Sequence, residues 1–290
     1  MSENYMKKYR LPIFVFGLLV VVVFLFYIDW QNSHKKFTFA MLDVGQGDAL
    51  FIESPTGTQI LVDGGPPKKI LNQLSRIMPP LDKSIDAIFI TNPDQDHLGG
   101  FLDVLENYKV GKVFGSGTTS DSKVFQNFKL ELKKKNIPEI LVKKGMRINL
   151  GGGVFMDILF PDRDVSTWPT NDGSIVARLS YVDTSIMLTG DASIKTEKLV
   201  LENNKTENIK SEILKVGHHG SRNSTSEEFL RTVTPDFAFI SDGKGNTYGH
   251  PHKEILDLFS QLRVKVFRTD LDGMVVLKSD GKDQKFSFLK

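Results

Sequence analysis

Residues 91 to 100 read TNPDQDHLGG and crowd Asp94, Asp96 and His97 into one short loop. Before them the run Ile85 to Ile90 is short and apolar, as in a buried strand. Asn92-Pro93 ends that run, and Gly99-Gly100 opens the amphipathic stretch Phe101 to Tyr108. The acids therefore project from a strand-to-helix loop, a usual place for ligands. Asn, Asp, Pro and Gly also favour plain turns, and Asp96 has the chemistry to cap the next helix. The choice between a turn and a metal site is decided by the rest of the chain.

Three further segments repeat the pattern of an apolar strand running into polar, ligand-type residues. Ser185 to Leu188 leads into Thr189-Gly190-Asp191, and LKVGHHGSRNSTS (214 to 226) presents His218, His219 and Ser221. NTYGHPH (246 to 252) carries His250 and His252. Counting His97 in the first stretch, five of the six histidines fall in these four segments, and only His34 lies outside them. Histidines gathered at strand ends beside aspartates are expected of an active site.

The ordered set DVGQGDA (43 to 49), LVDGG (61 to 65), TNPDQDHLGG, LTGDAS (188 to 193), HHGS (218 to 221) and YGHPH (248 to 252) resembles the metallo-β-lactamase fold. More narrowly it is similar to the hydrolase domain at the C-terminal end of ComEC-type competence proteins, over roughly residues 37 to 280. The resemblance implies an αββα sandwich. It also implies that Asp94 serves a first metal site, that Asp96, His97 and His218 serve a second, and that Asp191 bridges the two.

This chain departs from the family's His-x-His-x-Asp-His pattern. Asn92 stands at the leading histidine, Asp94 at the second, and the remaining first-site histidine has no counterpart where the chain reads TNDGS, near Asn171 and Ser174. Asn92 and Asn171 are thus weak-ligand candidates. Exchanging imidazole for oxygen donors hardens a site, which favours Mn²⁺ or Mg²⁺ over Zn²⁺, so Mn²⁺ is expected to serve at least as well as Zn²⁺, with one or two ions bound.

A divalent ion lowers the pKa of bound water to about 7 in favourable zinc sites, and a second ion stabilises charge on phosphoryl oxygens. Hydrolysis is the expected reaction. Asp96 is the candidate general base, and His219 and His250 are candidate catalytic contacts. His219 has a supporting role as its alternative, and His252 is expected at the surface or as a cap. Lys215 and Arg222 flank HHGS, and with Ser221 they are candidates for holding a phosphodiester.

GQGDA joins two strand-like runs, Phe37 to Leu42 and Ala49 to Glu53, with no helix behind it, so a tight hairpin accounts for it better than a phosphate loop. Asp43 and Asp48 are cleft-lining candidates, with a structural role as the alternative. Asp63 ends a strand and is expected to brace the metal loop. Gly151 to Gly153 reads as a turn.

The chain has 290 residues, 40% hydrophobic, with a net charge of +2 and no cysteine. That is ample for one large core but too weakly basic to argue for nucleic acid by itself. Lys133 to Lys135 reads as a solvated helix face. Helices are expected at Lys68 to Met78, Phe101 to Tyr108, Asp121 to Asn136, Ser193 to Asn203, Ser226 to Val233 and Lys253 to Leu262, between short strands.

Leu11 to Ile28 is almost wholly apolar over 18 residues, which as a helix spans about 27 Å, close to a bilayer core. The expected organisation is a tail at 1–10, a transmembrane anchor at 11–30, a linker at 31–36 and one hydrolase domain at 37–290. No small-residue cleavage site follows the apolar run, which speaks against a signal peptide. Lys7, Lys8 and Arg10 precede the span and Lys35 and Lys36 follow it, an excess of three minus two, placing the hydrolase domain on the extracytoplasmic side. The expectation is a single-pass membrane hydrolase acting on DNA in competence, beside a separate channel protein. The alternatives are a small phosphodiester or phosphocholine-type esterase, or a metal-poor nucleic-acid-binding module without turnover.

Overall fold

A computed structural model describes residues 11–24, 26 and 36–290. Two large sheets carry the chain. In spatial order, the eight-stranded sheet runs 284–289, 274–279, 37–41, 49–53, 59–64, 87–90, 113–115 and 139–141. The seven-stranded sheet runs 265–268, 237–240, 213–215, 184–188, 176–181, 154–160 and 147–151. Each sheet is parallel over four neighbouring strands and antiparallel over the rest.

The strands at 87–90 and 184–188 read AIFI and TSIML and are buried throughout, as strands covered on both faces must be. Between the sheets lies one apolar layer in which Phe39 and Phe239 meet across the sandwich at a centroid distance of 6.0 Å. A second layer packs the first sheet against helices at 70–77, 100–107 and 123–134, and a third packs the second sheet against helices at 194–203, 227–233 and 253–261. The order helix, sheet, sheet, helix is the sandwich expected from the sequence. All six expected helices are present, each within three residues of its expected ends.

Gln46 and its neighbours do form a hairpin tip between paired antiparallel strands, with Ala40 opposite Phe51. The glycine at its end has a steric reason. A Cβ on Gly47, at φ +135°, would lie 2.2 Å from the Asp96 carbonyl oxygen, so only glycine lets the hairpin press onto the loop at 91–100. The Asp48 amide donates to that same carbonyl at 3.1 Å.

At the N-terminus, residues 11–24 and Phe26 are helical, and their apolar side chains are exposed. Among the described residues no helix is long and apolar enough to cross a membrane. The far end of the expected anchor, Tyr27 to Trp30, lies outside the described residues, as do Lys7, Lys8, Arg10 and Lys35.

Candidate metal centre

The parallel strands of both sheets point their carboxyl ends at one edge of the sandwich, the usual ligand position in sheets with parallel strands. Asp63 ends the strand 59–64, the loop 91–97 follows 87–90, and Thr189 to Asp191 follows 184–188. Val216 to His219 follows 213–215, and Ser241-Asp242 follows 237–240.

Ligand-type atoms of Asp96, His97, Asp191 and His219 lie within 4.8 Å of one another. His97 Nε2 is 3.0 Å from Asp191 Oδ2, and His219 Nε2 is 3.4 Å from Asp96 Oδ2 and 3.6 Å from Asp191 Oδ2. His97 Nε2, His219 Nε2 and Asp191 Oδ1 are buried with no hydrogen-bond partner, a costly state for polar atoms unless something charged satisfies them. Two carboxylates and two imidazoles whose free lone pairs converge fit a divalent cation.

The imidazoles are held from behind. His97 Nδ1 is 2.8 Å from Asp63 Oδ2, and Asp63 also accepts from the Thr91 amide at 2.8 Å and hydroxyl at 2.6 Å. His219 Nδ1 donates to the Ser241 carbonyl at 2.8 Å and lies 3.3 Å from Asp48 Oδ1. Such outer partners fix the tautomer that leaves Nε2 free for a metal. Asp63 therefore ties the end of its strand to Thr91 and His97 of the loop. Asp48 takes a larger part than a hairpin residue would, because Gly47 brings it against both Lys215 and His219.

Charge is dense here. Burial alone would lower the basicity of His97, but Asp191 and Asp63 raise its pKa well above the ordinary value. Burial likewise opposes, and Asp191 and Asp48 outweigh it, so the His219 pKa rises to about 10. Burial disfavours the ionised forms of Asp48 and Asp191, yet the neighbouring cations hold both far below the usual carboxylate range, Lys215 first for Asp48 and His97 first for Asp191. Asp96 is lowered too, its burial outweighed by the neighbouring imidazoles of His219 and His97. A bound cation competes with the imidazole protons for the same lone pairs.

The structure places several other expected residues apart from this cluster. His219, not His218, joins the four-residue cluster; His218 is part-exposed, with Nε2 3.8 Å from Asp191. Both residues have left-handed backbones, at φ +47° and +54°, so no strand or helix period dictates which ring turns inward. Asp94 is bonded instead to the Thr170 hydroxyl at 2.8 Å and lies outside the cluster, with its pKa raised by burial. Asn92 spends its amide oxygen on the Asp94 backbone at 2.9 Å, and Asn171 sits in the neighbouring turn with its side-chain oxygen buried and unpartnered.

Lys215 is fully buried, 2.7 Å from Asp48, so its ammonium serves the interior rather than a substrate. Ser221 is buried and its hydroxyl closes its own turn on the Asn223 amide. Arg222 remains exposed, 3.9 Å from Glu254. Asp43 accepts from the Gly45 amide within the hairpin. His250 packs against His218 and His219 at centroid distances of 5.5 and 6.3 Å, and burial with those two neighbours lowers its pKa to about 4. At neutral pH its imidazole is uncharged. Ser241, Asp242 and Thr170 belong to the site's surroundings although sequence reasoning passed over them. The run Phe237 to Ile240 ending in Ser-Asp repeats the signal that marked Asp63 and Asp191.

Fold and ligand set together define a metallo-β-lactamase-type protein, and residues 42–241 match the metallo-β-lactamase superfamily, to which the chain belongs. Its relatives include ComE operon protein 3 of Bacillus subtilis, 31% identical over 93% of this chain and 36% of that protein. Recombination protein 2 of Haemophilus influenzae is 27% identical over 95% of this chain and 33% of that protein. The chain thus spans about a third of the length of these relatives. Among solved structures, the metallo-β-lactamase fold protein YhfI from Bacillus subtilis superposes with a TM-score of 0.56 at 12% identity, over 84% of this chain and all of the other.

Proposed function

We propose that this chain is a divalent-metal-dependent phosphodiesterase that cuts DNA. The reading rests on the convergence of free lone pairs from His97, His219 and Asp191 beside the Asp96 carboxylate. Asp96, His97, Asp191 and His219 would hold the ion, which would supply hydroxide at neutral pH and offset charge on phosphoryl oxygens. The Asp96 side chain is 38% exposed, the most open of the four, and its low pKa suits it to orient a water in the mouth of the site. Neutral His250 contributes hydrogen bonding toward the phosphate or leaving group, and Arg222 supplies the exposed cation nearby.

One ion per chain fits better than two, because Asp94 is committed to Thr170 and Asn92 to the loop backbone. Mn²⁺ and Zn²⁺ both suit a set of two carboxylates and two imidazoles. The likeness to ComE operon protein 3 and Recombination protein 2 favours DNA as substrate and a separate DNA-uptake channel as partner. The exposed apolar helix at 11–24 supports a membrane anchor, and the excess of basic residues before it favours a hydrolase domain outside the cytoplasm.

The test uses the full chain in detergent, stripped of metal and supplied with Mn²⁺, Zn²⁺ or Mg²⁺, on single- and double-stranded DNA and on bis(4-nitrophenyl) phosphate, beside Asp191→Ala. Expected is Mn²⁺-supported cleavage that disappears in the variant. Hydrolysis of the small ester alone would redirect the reading to a small phosphodiester, and no hydrolysis of either would remove the enzyme reading.

A further inference from the structure

Tyr248 is 67% exposed, an unusual position for a large aromatic ring held beside a buried ionic site. Its inner face stacks on His250 at a centroid distance of 5.8 Å and an interplanar angle of 22°. His250 in turn meets His218 edge-on and His219 at a tilt, so a chain of ring contacts runs from solvent to the candidate metal cluster.

The loop that carries Tyr248 is pinned at several points. Asn246 bridges it, with Nδ2 donating to the carbonyls of Gly243 and His250 at 3.0 and 2.7 Å and Oδ1 accepting from the His250 amide at 3.0 Å. The His252 amide donates to the Gly220 carbonyl at 2.9 Å, and His252 Nδ1 accepts from the Arg222 amide at 3.2 Å, which ties this loop to the one bearing His219. With the loop backbone held and one ring face against His250, the other face of Tyr248 is open to solvent.

We infer that Tyr248 is a stacking platform for an unpaired nucleobase next to the phosphodiester, which makes single-stranded nucleic acid the substrate class. The inference rests on the phosphodiesterase reading and narrows it. Every base has a π face, so such a platform selects for unpaired bases with little regard to sequence, whereas duplex bases are already stacked on one another. A quaternary ammonium is held by an aromatic cage. Tyr248 offers one open face, the other being covered by His250.

The test compares two oligomers with identical phosphates, oligo-dT and an abasic strand of equal length, by fluorescence anisotropy with the full chain at fixed salt. Wild type is expected to bind oligo-dT about tenfold more tightly than the abasic strand. Tyr248→Ala should erase that preference and Tyr248→Phe should keep it. Equal binding of the two strands by wild type, a preference that survives Tyr248→Ala, or displacement of oligo-dT by phosphocholine would overturn the inference. Binding reads the base preference whether or not the strand is cut. Failure to cleave either strand with Mn²⁺ therefore bears on the enzyme reading and leaves the platform to be judged by affinity.

Discussion

His97 is gripped at both ring nitrogens, with Nδ1 2.8 Å from Asp63 and Nε2 3.0 Å from Asp191. One carboxylate orients the ring and the other shares its free lone pair with whatever cation enters. Asp63→Asn keeps the size and removes the charge that fixes the imidazole. Mn²⁺ affinity, measured calorimetrically on the full chain, should fall about 10- to 100-fold with unchanged far-ultraviolet circular dichroism. Unaltered affinity would show that Asp63 serves the fold alone.

The two adjacent histidines should separate in the same assay. His219 presents a buried, unpartnered Nε2 to the cluster, whereas His218 is part-exposed. His219→Ala is expected to weaken Mn²⁺ binding by about tenfold or more, and His218→Ala by much less. The reverse order would restore the assignment made from the sequence.

Lys215 and Asp48 form a fully buried ion pair at 2.7 Å. Removing only the cation strands a carboxylate in the interior, which costs roughly 3–5 kcal/mol. Lys215→Met should show that loss in urea unfolding, and adding Asp48→Asn should recover much of it. A single variant as stable as wild type would mean that the pair contributes nothing.

Asp242 supplies a pH dependence of defined sign. Burial, with Asp270 beside it, raises its pKa from 3.8 to about 7. Between those two values the folded chain holds a proton that the unfolded chain has lost, so stability falls as pH rises, and it levels off above about 7. Wild type should therefore lose stability relative to Asp242→Asn between pH 4 and 7, with a flat difference beyond. Thermal unfolding of both proteins across that range checks it, and a difference that does not change with pH would refute the shift.

Much of this was readable in the sequence because strand-end chemistry survives translation into structure. Asp63, Asp96, His97 and Asp191 all lie where an apolar run gives way to a polar loop, and all reach the site. What escaped was direction. His218 and His219 sit in consecutive left-handed positions, where no repeat sets which side chain faces inward. Lys215 ends a three-residue strand, too short for alternation to announce burial, and its partner Asp48 arrives from 167 positions away. Asp48 itself was hidden by the plainness of a glycine hairpin, whose docking on Asp96 is a tertiary fact.

The four residues of the cluster come from positions 96, 97, 191 and 219, two on each sheet's loops. Neither half of the chain owns a binding set. A proteolytic fragment that keeps one sheet retains at most two donors, so tight retention of an ion is a stringent report on the integrity of the whole sandwich. An ion bound there at a hundredfold excess over its dissociation constant would add about 2.7 kcal/mol to the intact fold alone. Metal supply would then govern how long the protein survives proteases, apart from any effect on turnover.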